Sequence, residues 1–219
     1  LITMLLRFQD VSKTFGYRKV LDRMSHAFGH GLYALHGPNG VGKSTLLSIL
    51  AGIQEPDAGE IEIAGHNLRR TPLAAKAALS YVPDECPIYP FMTGRELLEF
   101  VARAKGASID PDIEALVDSF ALEPHLDSRY GQMSLGTQKK TLLAAAWIGR
   151  PTVMLMDEPS NGLDLATREV LMTRLRYMRE RTLVLISTHD AEFAHGIGAQ
   201  VLPFSELHAP AVPPPQVAA

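Results

Sequence analysis

Gly37-Pro38-Asn39-Gly40-Val41-Gly42-Lys43-Ser44-Thr45 is the stretch on which the reading of this chain turns. It fits the P-loop pattern: four residues between two glycines, followed by lysine and a hydroxyl side chain. The compact apolar run Leu32 to His36 precedes it, and Leu46, Leu47 and Leu50 mark a helix behind it. The pattern thus lies between a strand and a helix, the context it requires. Glycines let successive backbone N–H groups turn inward without Cβ clashes, which makes an anion nest at a helix N-terminus. Lys43 can then reach the β- and γ-phosphates of a nucleotide, and the Ser44 hydroxyl can ligate Mg²⁺. The plainer alternative is a glycine-rich turn that only caps a helix. The complete pattern in the right context outweighs it.

A second segment matches the first. Val153-Met154-Leu155-Met156-Asp157-Glu158-Pro159 is an apolar strand with two adjacent carboxylates at its C-terminal end, where ligands sit in parallel sheets. Asp157 can hold the Mg²⁺ shell, and Glu158 is placed to orient or deprotonate an attacking water. Neighbours on a strand point to opposite faces, so the two acids should differ in role. Alone, the segment also fits a solvated acidic turn.

Outward from these motifs, strand-like runs alternate with amphipathic helices, the mark of an α/β domain. Leu5 to Phe8 and Val20 to Phe28 read as short strands, and Ile61-Glu62-Ile63 alternates as an edge or antiparallel strand does. The middle is helical. Thr93 with Glu96 forms a capping-box pair, and Asp110-Pro111 supplies an N-cap and a first-turn proline ahead of Ile113, Leu116, Val117 and Phe120. Strand and helix alternate again through Leu171, Leu175, Met178 and Leu183 to Ile186. Pro87 and Pro90 predict an extended loop from Asp84 to Phe91, and its Ile88, Tyr89 and Phe91 read either as anchors for a partner or as a satellite core. The tail from Ala209 is rich in proline and alanine and reads as disordered. Leu1-Ile2-Thr3 ahead of Met4 reads as leftover sequence and is set aside from the fold.

Composition sets bounds on function. The 219 residues suit one sizeable core, and a net charge of -3 gives no electrostatic reason to expect nucleic acid or anionic lipid. The single cysteine, Cys86, rules out an internal disulfide framework and fits a reducing cytosol. No apolar run approaches the roughly 18 residues that cross a bilayer, and no secretory signal pattern is present.

With both motifs placed, the chain from Met4 to about Leu207 resembles the ATP-binding cassette (ABC) ATPases. Met133-Ser134-Leu135-Gly136-Thr137 resembles their signature motif, and its Ser134 and Gly136 are then implied to bind the γ-phosphate of ATP held by an opposite subunit. Physically it is another helix N-terminus with a serine cap. Ser160-Asn161-Gly162-Leu163-Asp164 resembles the D-loop, and Ser187-Thr188-His189-Asp190 the switch-histidine loop, which implies that His189 contacts the γ-phosphate. Phe15 resembles the aromatic that stacks on adenine, with Tyr17 as the alternative. Two departures stand out. Leu135 replaces the first of two glycines usual in the signature, and Asp84 stands where the family usually has glutamine. Aspartate is shorter and accepts only. Both resemble the branch of single-domain exporter ATPases that pair with separately encoded permeases.

The resemblance implies an α/β fold: a P-loop NTPase core with a mainly parallel sheet, an antiparallel β lobe and a helical insert. One ABC ATPase domain is expected over 4–208, with the helical subdomain at about 84–146. The expected cofactors are ATP and Mg²⁺. Lys43, Glu158 and His189 are the catalytic candidates. Phe15, Gly37, Pro38, Asn39, Gly40, Val41, Gly42, Lys43, Ser44, Thr45, Asp84, Ser134 and Gly136 are the nucleotide-binding candidates, and Ser44 and Asp157 the metal ligands. The expected partners are a second copy, joined through nucleotide, and an integral-membrane permease, with no nucleic acid. The chain is expected to be cytoplasmic, held at the inner face of the membrane through that permease. Competing readings are a non-transport ABC ATPase on a ribosome or DNA complex, which usually carries tandem cassettes, a coiled coil or basic segments, and a small-molecule kinase, which should show an arginine-rich lid.

Overall fold

The computed structural model describes residues 4–85 and 88–208. Expectations for Leu1 to Thr3, Cys86, Pro87 and the tail from Ala209 lie outside the described residues.

The chain opens with an antiparallel hairpin, β1 (Leu6–Phe15) and β2 (Arg18–Phe28), and then enters the core on β3 (Gly31–His36) and α1 (Lys43–Leu50). It returns to the first sheet for β4 (Ala58–Ile63) and β5 (His66–Asn67), then passes through α2 (Pro72–Ala77) to β6 (Leu79–Val82). Three helices follow: α3 (Gly94–Lys105), α4 (Pro111–Ser119) and α5 (Leu135–Ala146). The core is completed by β7 (Val153–Asp157), α6 (Leu165–Met178), β8 (Leu183–Ser187), α7 (Ala191–Gly196) and β9 (Gln200–Pro203). One sheet is antiparallel in the order β2-β1-β4-β5; the other has the order β6-β7-β8-β3-β9, with every pairing parallel. This is the expected α/β architecture, with a parallel sheet, an antiparallel sheet and helices.

The parallel sheet is covered on both faces, which is why its central strands are uninterrupted apolar runs. Met154, Met156, Val184 and Ile186 face a core shared with α3, α4, α5 and α6. Val153, Leu155, Leu183 and Leu185 face the core built by α1 and the antiparallel sheet. Successive side chains of one strand therefore stitch two cores together. The strand ends beyond Asp157 and Ser187 are left to carry chemistry.

The first sheet departs from the expected short strands. β1 runs ten residues, because a bulge at Asp10 lets it continue past a break in alternation. Asp10 has a φ of 53° and its N–H donates to Ser25 Oγ at 2.8 Å. The extra residue moves the inward positions from Leu6 and Phe8 to Val11. Opposite it, Gly59 has a φ of 100°, and a Cβ there would come within 2.6 Å of Gln9 O and the Val11 backbone. Only glycine fits that approach.

The helix caps are as predicted. Thr93 and Glu96 form the reciprocal box of α3, Asp110 accepts from Ile113 N–H at α4, and Ser134 accepts from Thr137 N–H at α5. The loop before α3 differs from a simple extended segment: Met92 N–H donates to Tyr89 O at 3.0 Å, making a turn at Pro90-Phe91. Tyr89 and Phe91 are 66% and 67% exposed and stack on each other with ring centroids 5.4 Å apart. They are not core residues. Ile88 is half-buried.

Candidate nucleotide site

The loop after β3 is shaped by its glycines. Gly40 and Gly42 have φ of 74° and 115°, and a Cβ on Gly42 would meet Val20 and Leu21 at 3.0 Å. α1 follows Gly42 with no capping side chain and no acidic residue in its first turn; the short α2 is likewise uncapped, whereas α3, α4, α5, α6 and α7 each carry a side-chain cap. The first-turn N–H groups of α1 thus have no side-chain acceptor from a cap and face a cleft, which fits an anion. Lys43 is 7% exposed, and its ammonium arches over the loop, donating to Gly37 O at 2.7 Å and Pro38 O at 3.2 Å.

That cleft, of about 460 Å³, is lined by Asn39, Gly40, Gly42, Lys43, Ser44 and Thr45 together with Phe15, Asp84, Glu158 and His189. Residues far apart in the chain, from Phe15 to His189, meet in one place. Phe15 is exposed at its wall, while Tyr17 is fully exposed and outside the lining. Gly37, Pro38 and Val41 border a neighbouring cleft on the other side of the loop. They are not part of the first cleft's lining, and Gly37 and Pro38 meet it only through the carbonyls that hold Lys43.

The two adjacent acids are separated by a backbone turn, not by strand alternation. β7 ends at Asp157, and Glu158 has a φ of 44°, in the left-handed region. That turn re-aims its carboxylate toward His189, whose Nδ1 lies 3.0 Å from Glu158 Oε1 and whose backbone N–H donates to Oε2 at 3.3 Å. Strain of this kind collects where a side chain must be aimed. Asp157 is buried and accepts a hydrogen bond from the Ser187 hydroxyl. The cleft lining does not include it.

Hydrogen bonding to the Glu158 carboxylate, and then its charge, raise the His189 pKa above the ordinary value of 6.5; nearby Lys43 opposes this. The sign follows from linkage. A raised folded-state pKa means the pair stabilises the fold fully below pH 6.5 and loses that contribution as pH climbs through the raised value. His189 is exposed, so solvent screens the effect on stability. An NMR titration of the His189 imidazole is expected to give a midpoint above 6.5, returning toward it in Glu158→Gln. A midpoint unmoved by that substitution would mean the pair does not form in solution.

Ser134 and Gly136 are not brought into this cleft. Ser134 Oγ caps its own helix and lies 2.8 Å from Thr137 Oγ1. A Cβ on Gly136 would approach Gly162 O to 3.0 Å, so this glycine lets α5 sit against the turn Ser160 to Asp164. Leu135 is exposed on the first turn of α5, and a helical backbone accommodates its Cβ there.

Arg18 and Arg168 were missed by the sequence reading, and so were the partners of Asn161 and Ser187, which it placed in motifs without a contact. Arg18 Nη2 donates to Gly40 O at 2.9 Å. Asn161 Nδ2 donates to Asp84 Oδ1 at 3.3 Å. Ser187 supports Asp157, and Arg168 of α6 pairs with Asp190 at 2.8 Å beside the histidine loop. A basic residue at the start of a strand carries no local signal, and a motif does not say which distant side chain its serine or asparagine will meet.

The chain also resembles known proteins. The family model for the ABC transporter matches residues 21–161, which takes in the P-loop, the Ser134 segment and the Asp157-Glu158 pair. The chain belongs to the ABC transporter family. The ATP-binding domains of that family hydrolyse ATP in transport. Phe15 and His189 fall outside the matched residues, so their places rest on the geometry above. Among relatives, the Nod factor export ATP-binding protein I of Paraburkholderia xenovorans (strain LB400) is 35% identical over 194 residues, 86% of this chain and 64% of that protein. The protein of that name from Rhizobium etli is 33% identical over 192 residues, 85% of this chain and 61% of the relative. The rat ATP-binding cassette sub-family A member 7 is 35% identical over 176 residues, 79% of this chain but 8% of that protein. The chain thus spans less than two thirds of the length of these relatives. A solved structure described as the ATP-binding subunit of an ABC transporter superposes with a TM-score of 0.77 at 30% identity, covering 87% of this chain and 81% of the other.

Proposed function

We propose that this ABC family chain binds MgATP in the cleft around Lys43, hydrolyses it within a dimer of two such domains, and drives an export permease. The observation that carries the reading is the convergence of the uncapped α1 N-terminus, Lys43 and the Glu158–His189 pair on one cleft. Residues 4–208 act in it as one domain, with the helices of about 84–146 as a subdomain.

In the reaction, water attacks the γ-phosphorus, the bond to the bridging β–γ oxygen breaks, and ADP leaves. Glu158 orients the water and receives its proton. His189, held by Glu158, donates toward the γ-phosphate, and Lys43 with the α1 N–H groups neutralises developing charge. Phe15 stacks on the adenine. Among the described residues no group of three or more His, Cys, Asp or Glu side chains could hold a metal by itself. Ser44 lines the cleft, and Asp157, buried at the end of β7 next to Glu158 in sequence, offers a carboxylate with one oxygen already bonded to Ser187. These two would hold Mg²⁺, an ion that takes few protein ligands together with phosphate oxygens and water, and it would supply phosphate charge neutralisation and orientation.

The position of Ser134 and Gly136 outside the cleft supports a composite site, each cleft closed by α5 of a second copy. The isolated chain is then expected to be monomeric without nucleotide and to dimerise with ATP when hydrolysis is blocked, which light scattering measures. A tight dimer independent of nucleotide would contradict this.

No described helix is long and apolar enough to cross a membrane. The export names of the Nod factor relatives support export through a membrane permease, with this domain on the cytoplasmic side. The stacked, exposed Tyr89 and Phe91 support the 84–91 loop as the docking segment. Replacing Ile88 and Tyr89 with serine is expected to leave ATP hydrolysis by the free domain nearly intact while weakening association with membranes that contain the cognate permease. A large loss of thermal stability with normal association would assign these side chains to packing instead.

A further inference from the structure

Lys139 is the structure's least expected charge. It lies on α5 with its side chain 4% exposed. A buried ammonium is costly unless its donors are used. This one donates to Pro83 O at 2.9 Å, Asp84 O at 3.1 Å and Asp157 O at 3.4 Å, so one cation ties α5 to the ends of β6 and β7. Its ammonium is also 3.7 Å from Asp84 Oδ1.

Asp84 poses the matching problem. Its side chain is 45% exposed and lines the same cleft as Lys43 and the α1 N-terminus. A carboxylate there repels a polyphosphate unless something cancels its charge. The two cations in the cleft wall are directed elsewhere: Lys43 holds the Gly37 and Pro38 carbonyls, and Arg18 the Gly40 carbonyl. Among the described residues Lys139 is the cation within ion-pair distance of Asp84, and Asn161 donates to the same carboxylate oxygen.

We propose that Lys139 is a positioning residue whose charge neutralises Asp84, so that the pair presents a near-neutral wall to the nucleotide phosphates. This rests on the MgATP reading of the cleft. Cancellation at the wall also makes the acid's position depend on α5, the helix that carries Ser134.

Calorimetric titration with MgATP at low ionic strength, with thermal unfolding measured alongside, tests the pair. Lys139→Met is expected to weaken MgATP binding about tenfold, because an uncompensated carboxylate then faces the phosphates. Adding Asp84→Asn to Lys139→Met should restore affinity to within about threefold of the parent, and Asp84→Asn alone should tighten binding. A Lys139 that served only as a latch on the three carbonyls would give no rescue, since Asp84→Asn leaves those carbonyls unheld. Failure of rescue in folded protein overturns the proposal. Where Lys139→Met does not fold, Asp84→Asn alone decides: tighter MgATP binding supports the pair, and unchanged or weaker binding overturns it. A parent chain that binds no MgATP overturns the nucleotide reading itself, a result distinct from binding without rescue.

Discussion

Glu158→Gln is expected to lower ATP turnover by about 10²- to 10⁴-fold while leaving ATP binding intact, the range over which a positioned proton acceptor contributes. The carboxylate sits at the end of β7, turned into the cleft by a left-handed backbone and held against His189 at 3.0 Å. Glutamine keeps the shape and the hydrogen-bonding reach but cannot take a proton. Asp157 cannot substitute, because its carboxylate is buried against Ser187. The variant should therefore accumulate as an ATP-bound dimer, since the step that reopens it is blocked. Single-turnover and steady-state assays on purified variant measure this. Turnover near that of the parent would remove Glu158 from the chemistry.

The second large effect is at Lys43. Lys43→Ala is expected to weaken MgATP binding itself by several kcal/mol, on the order of what charge-assisted hydrogen bonds supply in a crowded anion site. In the structure the ammonium already occupies the hollow of the loop, held by the Gly37 and Pro38 carbonyls. Its removal takes from the phosphates the lysine charge at the mouth of α1 and leaves the N–H groups there without it. Both the affinity and the chemical step should fall, which distinguishes it from Glu158→Gln. Calorimetric titration showing unchanged MgATP affinity would contradict the role.

The features legible in the sequence were those encoded locally. The P-loop announces itself through glycine spacing, and Thr93-Glu96, Asp110-Pro111 and Ser134 mark helix starts because a cap needs only residues within one turn. The continuous apolar runs of β7 and β8 likewise betray a sheet covered on both faces. Features depending on residues far apart in sequence were not legible. The Asp84–Asn161 bond spans 77 positions and the bond from Lys139 to the Asp84 carbonyl 55, and nothing near Lys139 signals that a lysine one turn into α5 is buried. The Asp10 bulge escaped because its register shift shows only once β1 is paired with β2 and β4. Glu158 was found by its place beside Asp157, but strand alternation misdescribed how it is aimed. Its positive φ is imposed by the fold around it.

The most direct test of the composite site is complementation between two inactive variants. Lys43→Ala removes the loop cation, and Ser134→Arg blocks the α5 N-terminus that is proposed to close the opposite cleft. Each should be inactive alone. In a two-fold dimer containing one of each, one site combines an intact Lys43 with an intact Ser134 from the other copy, and the second site carries both defects. Random mixing in equal amounts should recover about a quarter of parental ATPase activity per chain, because half the dimers are mixed and each has one sound site. Recovery near that level is the predicted result. Two inactive variants that stay inactive when mixed, although both fold and dimerise, would contradict a site shared between two copies.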